Sequence, residues 1–456
     1  MTLGTRILKA HPATLVLASF LLVIAVGTLL LKLPISTIAG HISWVDTLFT
    51  ATSAVCVTGL VVVDTGSYFT VFGQCVILVL IQIGGLGVMT ISVALFRWIG
   101  RSISFRHRMV MQDLFAHTPR EDIFDLVKSI VLFTVSAEVI GAVFLTIHWN
   151  REIPFGYSIY TAVFHSISAF CNAGFALFSD SMVRYSDNVL LNATICCLIV
   201  VGGIGFPVLY DVQSWFVRRK GKKVRLSIQT KSVLVTTLAL IISGALMFAF
   251  LERQSLENAQ TPSHRILAPV FQSITCRTAG FNTVDIASLK DATLAMMIFF
   301  MFFGASPGSC GGGVKTTTLA LLAAFTISRV RRKRRVNMFK KSIPVETVTR
   351  SVSLILVSMG IIGVVLFLIL VGDSASSHEV ADQQRTFLAY FFETVSAFGT
   401  VGLSMGVTPE LNAWGKSLII LMMIIGRVGV LTFAYIIVGT GTMNGVEYSE
   451  ENLMVG

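Results

Sequence analysis

The sequence predicts an all-α, polytopic membrane protein built from four concatenated helix–pore-loop–helix units around a pseudo-fourfold pore. Three observations predict this fold: an apolar composition, one short motif present in four copies, and an uneven placement of charge. Of the 456 residues, 54% are hydrophobic and only 13% are charged, whereas soluble domains carry about 25% charged residues. Several apolar runs of about 20 residues are long enough to cross a bilayer core of about 30 Å.

The repeated motif is a short apolar run that ends in an extended segment at a glycine. Its copies read FTATSAVCVTGL, FHSISAFCNAGF, FQSITCRTAGF and FETVSAFGTVGL, at residues 49–60, 164–175, 271–281 and 392–403. The terminal glycines are Gly59, Gly174, Gly280 and Gly402, and they recur about every 115 residues. One such segment could enclose nothing, whereas four segments around one axis enclose a pore.

Each quarter of the chain contains a first span, a pore segment and a glycine-rich second span. The predicted units cover residues 1–100, 101–225, 226–340 and 341–445, and residues 446–456 form a cytoplasmic tail. First spans are predicted at residues 13–33, 126–148, 232–251 and 351–371, and pore segments at 44–60, 157–175, 265–281 and 385–403. Second spans are predicted at residues 72–96, 189–216, 292–327 and 417–438. The apolar part of each pore segment is only about ten residues, or roughly 15 Å of helix, and is too short to span.

The second spans share a glycine-rich stretch: IGGLG (83–87), VGGIG (201–205), FGASPG (303–308) and IGRVG (425–429). In unit three this stretch has too many small or turn-forming residues to continue a helix. We therefore predict a break there, the unit-three loop, comprising Gly304, Ala305, Ser306, Pro307, Gly308, Ser309, Cys310, Gly311, Gly312 and Gly313. Irregular backbone at membrane depth is tolerated where it lines a cavity or is buried in protein. The loop is predicted to be an intramembrane gate, and a packing kink is the alternative.

The basic residues fix a predicted orientation. Of the 35 lysines and arginines, 24 fall in the N-terminus and in residues 97–128, 218–231 and 329–350. By the positive-inside rule these segments and both termini are cytoplasmic. The basic runs adjoin spans and lack interleaved aromatic residues, so the predicted partner is the lipid bilayer and not a nucleic acid. The predicted outer loops are mildly acidic. Their carboxylates either concentrate cations at the pore entrance or are simply the solvated charges of surface loops.

The motif also predicts the chemistry of a cation filter. Backbone carbonyls can replace the hydration shell of an ion without adding a fixed charge that would trap it. Glycine supplies the conformation that bulky residues resist, and the C-terminal end of a short helix favours a cation. The predicted filter, with K⁺ as its transported ion and the only metal predicted, comprises Val57, Thr58, Gly59, Asn172, Ala173, Gly174, Thr278, Ala279, Gly280, Thr400, Val401 and Gly402.

Several ionisable residues lie within apolar segments. Arg427, in the last span, is predicted to be a barrier to cations, and an arginine paired to a neighbouring carbonyl is the alternative. His165 and Glu393 occupy equivalent places in pore segments and are predicted to form structural hydrogen bonds. Glu138 is the candidate for a rival class, a proton-coupled carrier. The cysteines have no metal-ligand spacing and no catalytic arrangement is present, so we predict that the chain is not an enzyme.

The stretches TSAVCVTGLVVVDT, SISAFCNAGFALFSDS, SITCRTAGFNTVD and SAFGTVGL, with IIGRVG in the last span, resemble the Trk/Ktr/HKT superfamily of potassium transporters. The resemblance is greatest to the membrane subunits of bacterial Ktr systems. It implies potassium uptake across the bacterial cytoplasmic membrane, with residues 304–313 as the gate loop and Arg427 as the arginine of the last span.

The resemblance further implies a homodimer with one ion path in each protomer. It also implies a cytosolic ring of nucleotide-binding regulatory subunits of the KtrA type, and no cofactor on this chain itself. Glycine at position 59 is the residue that the resemblance associates with potassium. A sodium-selective or poorly selective monovalent cation transporter remains the alternative.

Overall fold

The computed structural model describes residues 12–87, 123–218, 226–257, 261–333, 335–374, 383–430 and 433. The predicted cytoplasmic tail at residues 446–456 lies outside the described residues, as do most of the basic segments at 97–128 and 218–231. The last parts of the predicted second spans of units one and four, beyond residues 87 and 433, lie outside them too.

The described chain is mostly helical. Unit one contains α1 (Pro12–Lys32), α2 (Trp44–Cys56), α3 (Thr65–Tyr68) and α4 (Val71–Leu86). Unit two contains α5 (Ile123–Trp149), α6 (Phe155–Phe170), α7 (Val189–Ile204) and α8 (Phe206–Arg218). Unit three contains α9 (Ile228–Leu251), α10 (Arg253–Glu257), α11 (Pro262–Thr275), α12 (Asp291–Phe302) and α13 (Thr316–Val330). A small antiparallel hairpin of β1 (Asn337–Met338) and β2 (Lys341–Ser342) precedes α14 (Val345–Ser374), α15 (Gln383–Gly399) and α16 (Ala413–Val428).

The first helix of each unit, α1, α5, α9 and α14, is long and apolar enough to cross a membrane, with a mean hydropathy between 2.3 and 3.2. Each begins and ends within a few residues of the predicted first span, apart from an earlier start for α14. The outward faces of these helices leave large apolar side chains exposed, among them Leu22 at 66%, Phe250 at 79% and Phe367 at 64%. An apolar belt of this extent is typical of a surface that contacts lipid.

The pore segments form α2, α6, α11 and α15, which end at the glycine motifs. These helices have 13, 16, 14 and 17 residues, so the expectation of about ten residues, or 15 Å, was too short. The apolar run forms only the inner part of each pore helix. Residues before the run extend the helix outward, as the sequence PSHR does at the start of α11. The motif phenylalanine of each helix is at most 1% exposed and anchors it in the core; these residues are Phe49, Phe164, Phe271 and Phe392.

The second helices end earlier than predicted. In units one, two and four they stop at Leu86, Ile204 and Val428, each followed by a glycine with a φ of +83°, +95° or +96°. Unit two continues as α8 after a bend of 95°, so the second span predicted as one segment over residues 189–216 is interrupted at Gly205. A left-handed glycine ends a helix, and hydropathy does not register it because the apolar character continues past the break.

The helices close into a cycle. The second helix of each unit packs against the pore helix of the next unit: α4 on α6, α7 on α11, α12 on α15, and α16 on α2. The last of these contacts joins the end of the chain to its beginning. An ion pair crosses it, with Lys416 Nζ 2.8 Å from the Asp46 carboxylate. Four units in this arrangement surround one axis.

We expect the replacement of Lys416 by methionine to destabilise the protein by about 1–2 kcal/mol, because it leaves the partly buried Asp46 carboxylate without its partner. Thermal melting of the purified protein in detergent measures the change. Arg184, which pairs with Asp180 at an exposed site, provides the control, and Arg184→Met should leave the melting temperature almost unchanged. Equal melting temperatures for Lys416→Met and the unaltered protein would contradict a role for this pair in closing the cycle.

Candidate functional site

The four motif glycines form a ring. Each has a left-handed backbone, with φ values of +93° at Gly59, +69° at Gly174, +79° at Gly280 and +89° at Gly402. A Cβ atom added to any one of them would collide with the carbonyl oxygen that precedes the next glycine. At Gly174 that atom would lie 2.8 Å from the Ala279 oxygen, and at Gly280 it would lie 2.6 Å from the Val401 oxygen.

The other two steps complete the same cycle. A Cβ at Gly402 would meet the Thr58 oxygen, and a Cβ at Gly59 would meet the Ala173 oxygen. The four segments are therefore packed backbone to backbone, in the order of the chain, and the carbonyl oxygens of Thr58, Ala173, Ala279 and Val401 lie between neighbours. We call this arrangement the glycine ring.

Each segment of the glycine ring enters through a second left-handed residue, two positions before its glycine. These residues are Val57, Asn172, Thr278 and Thr400, with φ values of +58°, +59°, +89° and +49°. Non-glycine residues seldom adopt this conformation, and four equivalent cases show that the turn is a shared requirement of the motif. Such strained backbone is common where function needs a fixed geometry.

The backbone N–H groups in these segments point back toward the helices. The N–H groups of Thr58, Ala173 and Val401 donate to carbonyls five residues earlier, at 2.7 to 2.8 Å, and that of Ala279 donates to Thr275 at 3.0 Å. Within the described part of the chain, no hydrogen bond is made to the carbonyl oxygens of the twelve predicted filter residues. Carbonyls without a donor, gathered at one place, are suited to bind a cation.

A row of hydroxyl groups supports the ring. The fourth residue after each motif phenylalanine is Ser53, Ser168, Thr275 or Ser396. Ser53 and Ser396 accept hydrogen bonds from the N–H groups of Gly59 and Gly402, each at 3.1 Å. Ser168 and Thr275 donate to the carbonyls just after the other two glycines, at 2.8 and 2.6 Å. Sequence analysis missed this row, although a comparison of the four motifs with one another would have found it.

His165 and Glu393 form structural hydrogen bonds, as predicted. His165 Nε2 accepts from the N–H of Leu177 at 3.2 Å, and Glu393 accepts from the hydroxyl of Thr408. The equivalent residue in unit three, Gln272, donates to Thr283 at 3.5 Å. In units two, three and four, these side chains tie the pore helix to the segment that follows its glycine.

A cavity of about 330 Å³ opens on the side of the glycine ring that the sequence assigns to the exterior. All four ring glycines line it, together with residues of the segments that follow them. Of the described residues on its wall, Asp64 alone carries a carboxylate, and sequence analysis did not single it out. A carboxylate at the entrance raises the local concentration of cations.

The other acidic residues predicted for the outer face are mostly engaged in local contacts. Glu152 contacts His148, Asp180 contacts Arg184, Asp187 contacts His264 and Glu257 contacts Arg253. Burial raises the pKa of the Asp180 carboxyl, but the hydrogen bond and charge of Arg184 outweigh it, so that this pKa lies below its ordinary value. For these residues the structure favours the simpler interpretation, that they are solvated loop charges.

The unit-three loop lies against the opposite side of the glycine ring. The N–H of Gly312 donates to the Thr400 hydroxyl at 2.8 Å. A Cβ on Gly304 would lie 3.0 Å from the Thr278 side chain, and a Cβ on Gly312 would lie 2.5 Å from Thr400. Glycine is required at these two positions because the loop backbone lies directly against residues of the ring.

Neighbouring second helices hold the loop in this place. The N–H groups of Ser306, Cys310 and Gly313 donate to the carbonyls of Gly203, Gly202 and Gly426, at 3.1 to 3.3 Å. Lys315 Nζ donates to the loop carbonyls of Gly311 at 2.7 Å and Gly312 at 3.3 Å. These hydrogen bonds attach the loop to units two and four. The loop can break them without unfolding a helix.

Arg427 joins the loop to unit one. Its guanidinium donates one hydrogen bond to the carbonyl of Cys310 and another to the carbonyl of Gly84, at the end of α4. The arginine therefore does have carbonyl partners, as the alternative interpretation required, and one of those partners belongs to the unit-three loop. Its charge also lies at the level of that loop. Both interpretations of Arg427 are compatible with this geometry.

Glu138 does not line the cavity beside the glycine ring. Its carboxylate accepts a hydrogen bond from Gln82 at 3.3 Å and lies 4.0 Å from the sulfur of Cys171. The Glu138 carbonyl accepts from Ser166 at 2.6 Å. The residue packs between α4, α5 and α6.

Asn172 and Thr278 connect two adjacent segments of the ring through their side chains, with 3.1 Å between the amide and the hydroxyl. When the amide is turned so that its oxygen accepts from Thr278, its nitrogen donates to the carbonyls of Ala169, Phe170 and Ile199. This orientation satisfies both ends of the amide. The side chain then braces units two and three below the glycines.

Comparison with known proteins agrees with this architecture. A family described as "TrkH: Cation transport protein" matches residues 8–439. The chain belongs to this family. It is 41% identical to Ktr system potassium uptake protein B of Vibrio alginolyticus, over 98% of this chain and 96% of that protein. It is 39% identical to the protein of the same name from Bacillus subtilis, over 98% and 97%.

Two further comparisons concern a solved structure and a third relative. The crystal structure of the potassium transporter TrkH from Vibrio parahaemolyticus superimposes with a TM-score of 0.71 at 18% identity, over 95% of this chain and 86% of that one. This likeness shows the shared fold of a polytopic membrane transporter. A potassium/sodium uptake protein of Enterococcus hirae is 36% identical over 98% of each chain. As a member of a transporter family, the chain is not an enzyme.

Proposed function

We propose that this chain is the ion-translocating subunit of a bacterial potassium uptake system of the Ktr type. The observation that carries the proposal is the glycine ring, in which carbonyl oxygens from four units gather without hydrogen-bond donors. A bare monovalent cation cannot cross hydrocarbon, since the idealised cost of desolvation is about 20 kcal/mol. The carbonyls of residues 57–59, 172–174, 278–280 and 400–402 act as the filter that replaces the hydration shell.

The unit-three loop is the proposed gate. It lies against the glycine ring on the side opposite the cavity, where it obstructs the way out of the filter. Its attachments are hydrogen bonds to backbone and to single side chains, so that it can move aside without loss of the surrounding helices. Arg427 contributes in two ways, as a positive charge that slows cations and as a donor that holds the loop.

The assembly is proposed from the relatives named as Ktr system proteins. We propose a homodimer in the bacterial cytoplasmic membrane, with one ion path in each protomer and both termini in the cytoplasm. A KtrA-type ring of regulatory subunits binds the nucleotide and acts on the unit-three loop. The transmembrane potential drives uptake, at about 2.3 kcal/mol per charge per 100 mV.

Growth at low potassium tests the function. Expression in a bacterial host that lacks its own potassium uptake, together with a regulatory subunit, should restore growth. Flux measurements in the same cells should show potassium and rubidium carried in preference to sodium. No rescue by a protein that reaches the membrane would contradict the proposal.

A sodium-selective or poorly selective transporter is the second candidate, because one relative is named a potassium/sodium uptake protein. The carbonyl chemistry of the ring does not by itself decide between the two ions. The same flux experiment separates the candidates. A sodium flux equal to or above the potassium flux would replace the first proposal by the second.

A further inference from the structure

A second cavity lies between α13, the last helix of unit three, and α14, the first helix of unit four. None of the residues that line it belongs to the glycine ring. The β1–β2 hairpin fills the space between the two helices. Its turn residues Phe339 and Lys340 are left-handed, with φ values of +49° and +65°. A small apolar core of Leu321, Val336 and Val348 fastens the hairpin to both helices.

The cavity beside this core has a volume of about 570 Å³, which is the size of a site for a small ligand. The helices and the hairpin side each contribute both apolar and polar residues to its walls. The lining residues are Phe325, Arg329, Arg335, Val336, Ser342, Ile343, Pro344, Val345, Val348, Thr349, Val352 and Ser353.

The charge of the wall has one sign. Among the described residues that line it, Arg329 and Arg335 are charged and none is a carboxylate. Arg329 lies over the Phe325 ring, with 5.2 Å between the guanidinium carbon and the ring centroid. Among the described residues, neither guanidinium has a carboxylate partner. The one acidic residue in the first turn of α14, Glu346, is exposed and does not line the cavity.

The cavity lies at one end of a helix that can cross a membrane. By its length and composition, α14 is a candidate span over Val345–Asp373, and Val345, its first residue, lines the cavity. On the neighbouring part of α13 and at the start of α14, apolar side chains remain exposed: Ile327 at 53%, Val330 at 78% and Val345 at 69%. The cavity therefore combines two arginines with an apolar surface at the end of a candidate membrane span.

We propose that this cavity binds one anionic phospholipid from the adjacent leaflet. Arg329 and Arg335 bind the phosphate, since a guanidinium presents two parallel donors to phosphate oxygens. An acyl chain runs along Val345, Val348 and Val352 on α14. A free phosphate or nucleotide would leave this apolar wall unused, whereas a phospholipid uses both parts. Basic pockets between membrane helices on the cytoplasmic side are known to take lipid headgroups in this way.

The bound lipid would stabilise the junction between units three and four, because its headgroup contacts α13 and the hairpin while its chain contacts α14. The proposal does not depend on which ion the protein carries. Lipid binding can therefore be measured on protein that transports nothing, and a failure of the proposed function would leave this test unaffected.

The test is a titration of purified protein in phosphatidylcholine nanodiscs with phosphatidylglycerol, read by native mass spectrometry of the lipid retained. The double variant R329Q/R335Q should bind phosphatidylglycerol about tenfold more weakly, because the charge-assisted hydrogen bonds to phosphate are lost. The matched control is R331Q/R332Q, which removes the same charge from two exposed arginines nearby that do not line the cavity. It should leave the affinity within about twofold.

Three results would overturn the proposal. An equal loss of binding in both double variants would indicate general attraction to a negative surface. Displacement of the lipid by inorganic phosphate at millimolar concentration would indicate a site for free phosphate. Unchanged lipid binding in R329Q/R335Q, together with loss of a co-purified regulatory protein, would assign the cavity to a protein partner instead.

Discussion

Gly402→Ala should lower potassium uptake by about tenfold or more, which corresponds to a barrier raised by about 1.4 kcal/mol. The added Cβ would meet the carbonyl oxygen of Thr58, and that oxygen belongs to the proposed filter. Either the oxygen moves or the segment around residue 402 does, and in both cases the spacing of the carbonyls around an ion changes. Rubidium uptake into liposomes that contain the purified protein measures the effect.

Gly406 provides a matched control, four residues further along the same segment. Its φ is +91° against +89° for Gly402, so alanine has the same left-handed strain of about 1–2 kcal/mol at both positions. Nothing lies within 4 Å of a Cβ at Gly406, however. Gly406→Ala should therefore cost only the strain that both positions share, without the collision at Gly402, and should retain normal uptake. Equal inactivation of the two variants would show that strain, and not the geometry of the ring, causes the loss.

Much of the architecture could be predicted because the chain repeats itself. Four copies of one motif can be compared within a single sequence, and a glycine present in all four indicates a backbone requirement even without related sequences. The first helices were predictable for a simpler reason, since about 20 apolar residues correspond to the thickness of a bilayer. Both signals are local and strong, and the four first helices lie close to the predicted residues.

The breaks in the second helices could not be predicted in the same way. Residues 189–216 are apolar across the bend at Gly205, and hydropathy is unaffected by a φ of +95°. Glycine inside an apolar helix is also common where helices approach closely, so its presence alone did not mark a break. The signal that remained was the recurrence of glycine at residues 87, 205 and 429, one position after each helix end.

Contacts between side chains and groups that are distant in the sequence could not be predicted either. A neighbouring carbonyl partner was the alternative prediction for Arg427, but its two acceptors come from units one and three, 343 and 117 positions away. The pair of Asp46 and Lys416 joins residues 370 positions apart. Such contacts exist only because the four units close into a cycle, and nothing near either residue in the sequence indicates the other.

Arg427→Ala should raise potassium flux in the absence of a regulatory subunit by about tenfold or more. Each hydrogen bond from a charged donor contributes about 1.5–3 kcal/mol, and the substitution removes the two that hold Cys310 of the unit-three loop and Gly84 of α4. The freed loop spends more time away from the filter, and the positive charge is gone. Flux in liposomes that contain this subunit alone is the measurement.

Arg427→Lys separates the two contributions of the arginine. Lysine retains the charge, but it is a compact point charge without the planar fork that reaches two carbonyls at once. If the hydrogen bonds to the loop control the gate, Arg427→Lys also raises the flux, although less than alanine does. If charge alone forms the barrier, lysine behaves like the natural arginine.

Deletion of part of residues 306–312 should reproduce the effect of Arg427→Ala on the flux. A variant that combines the deletion with Arg427→Ala should show little further rise, because both changes act on the unit-three loop. A fall in flux for Arg427→Ala, in protein that folds and melts normally, would contradict the gate.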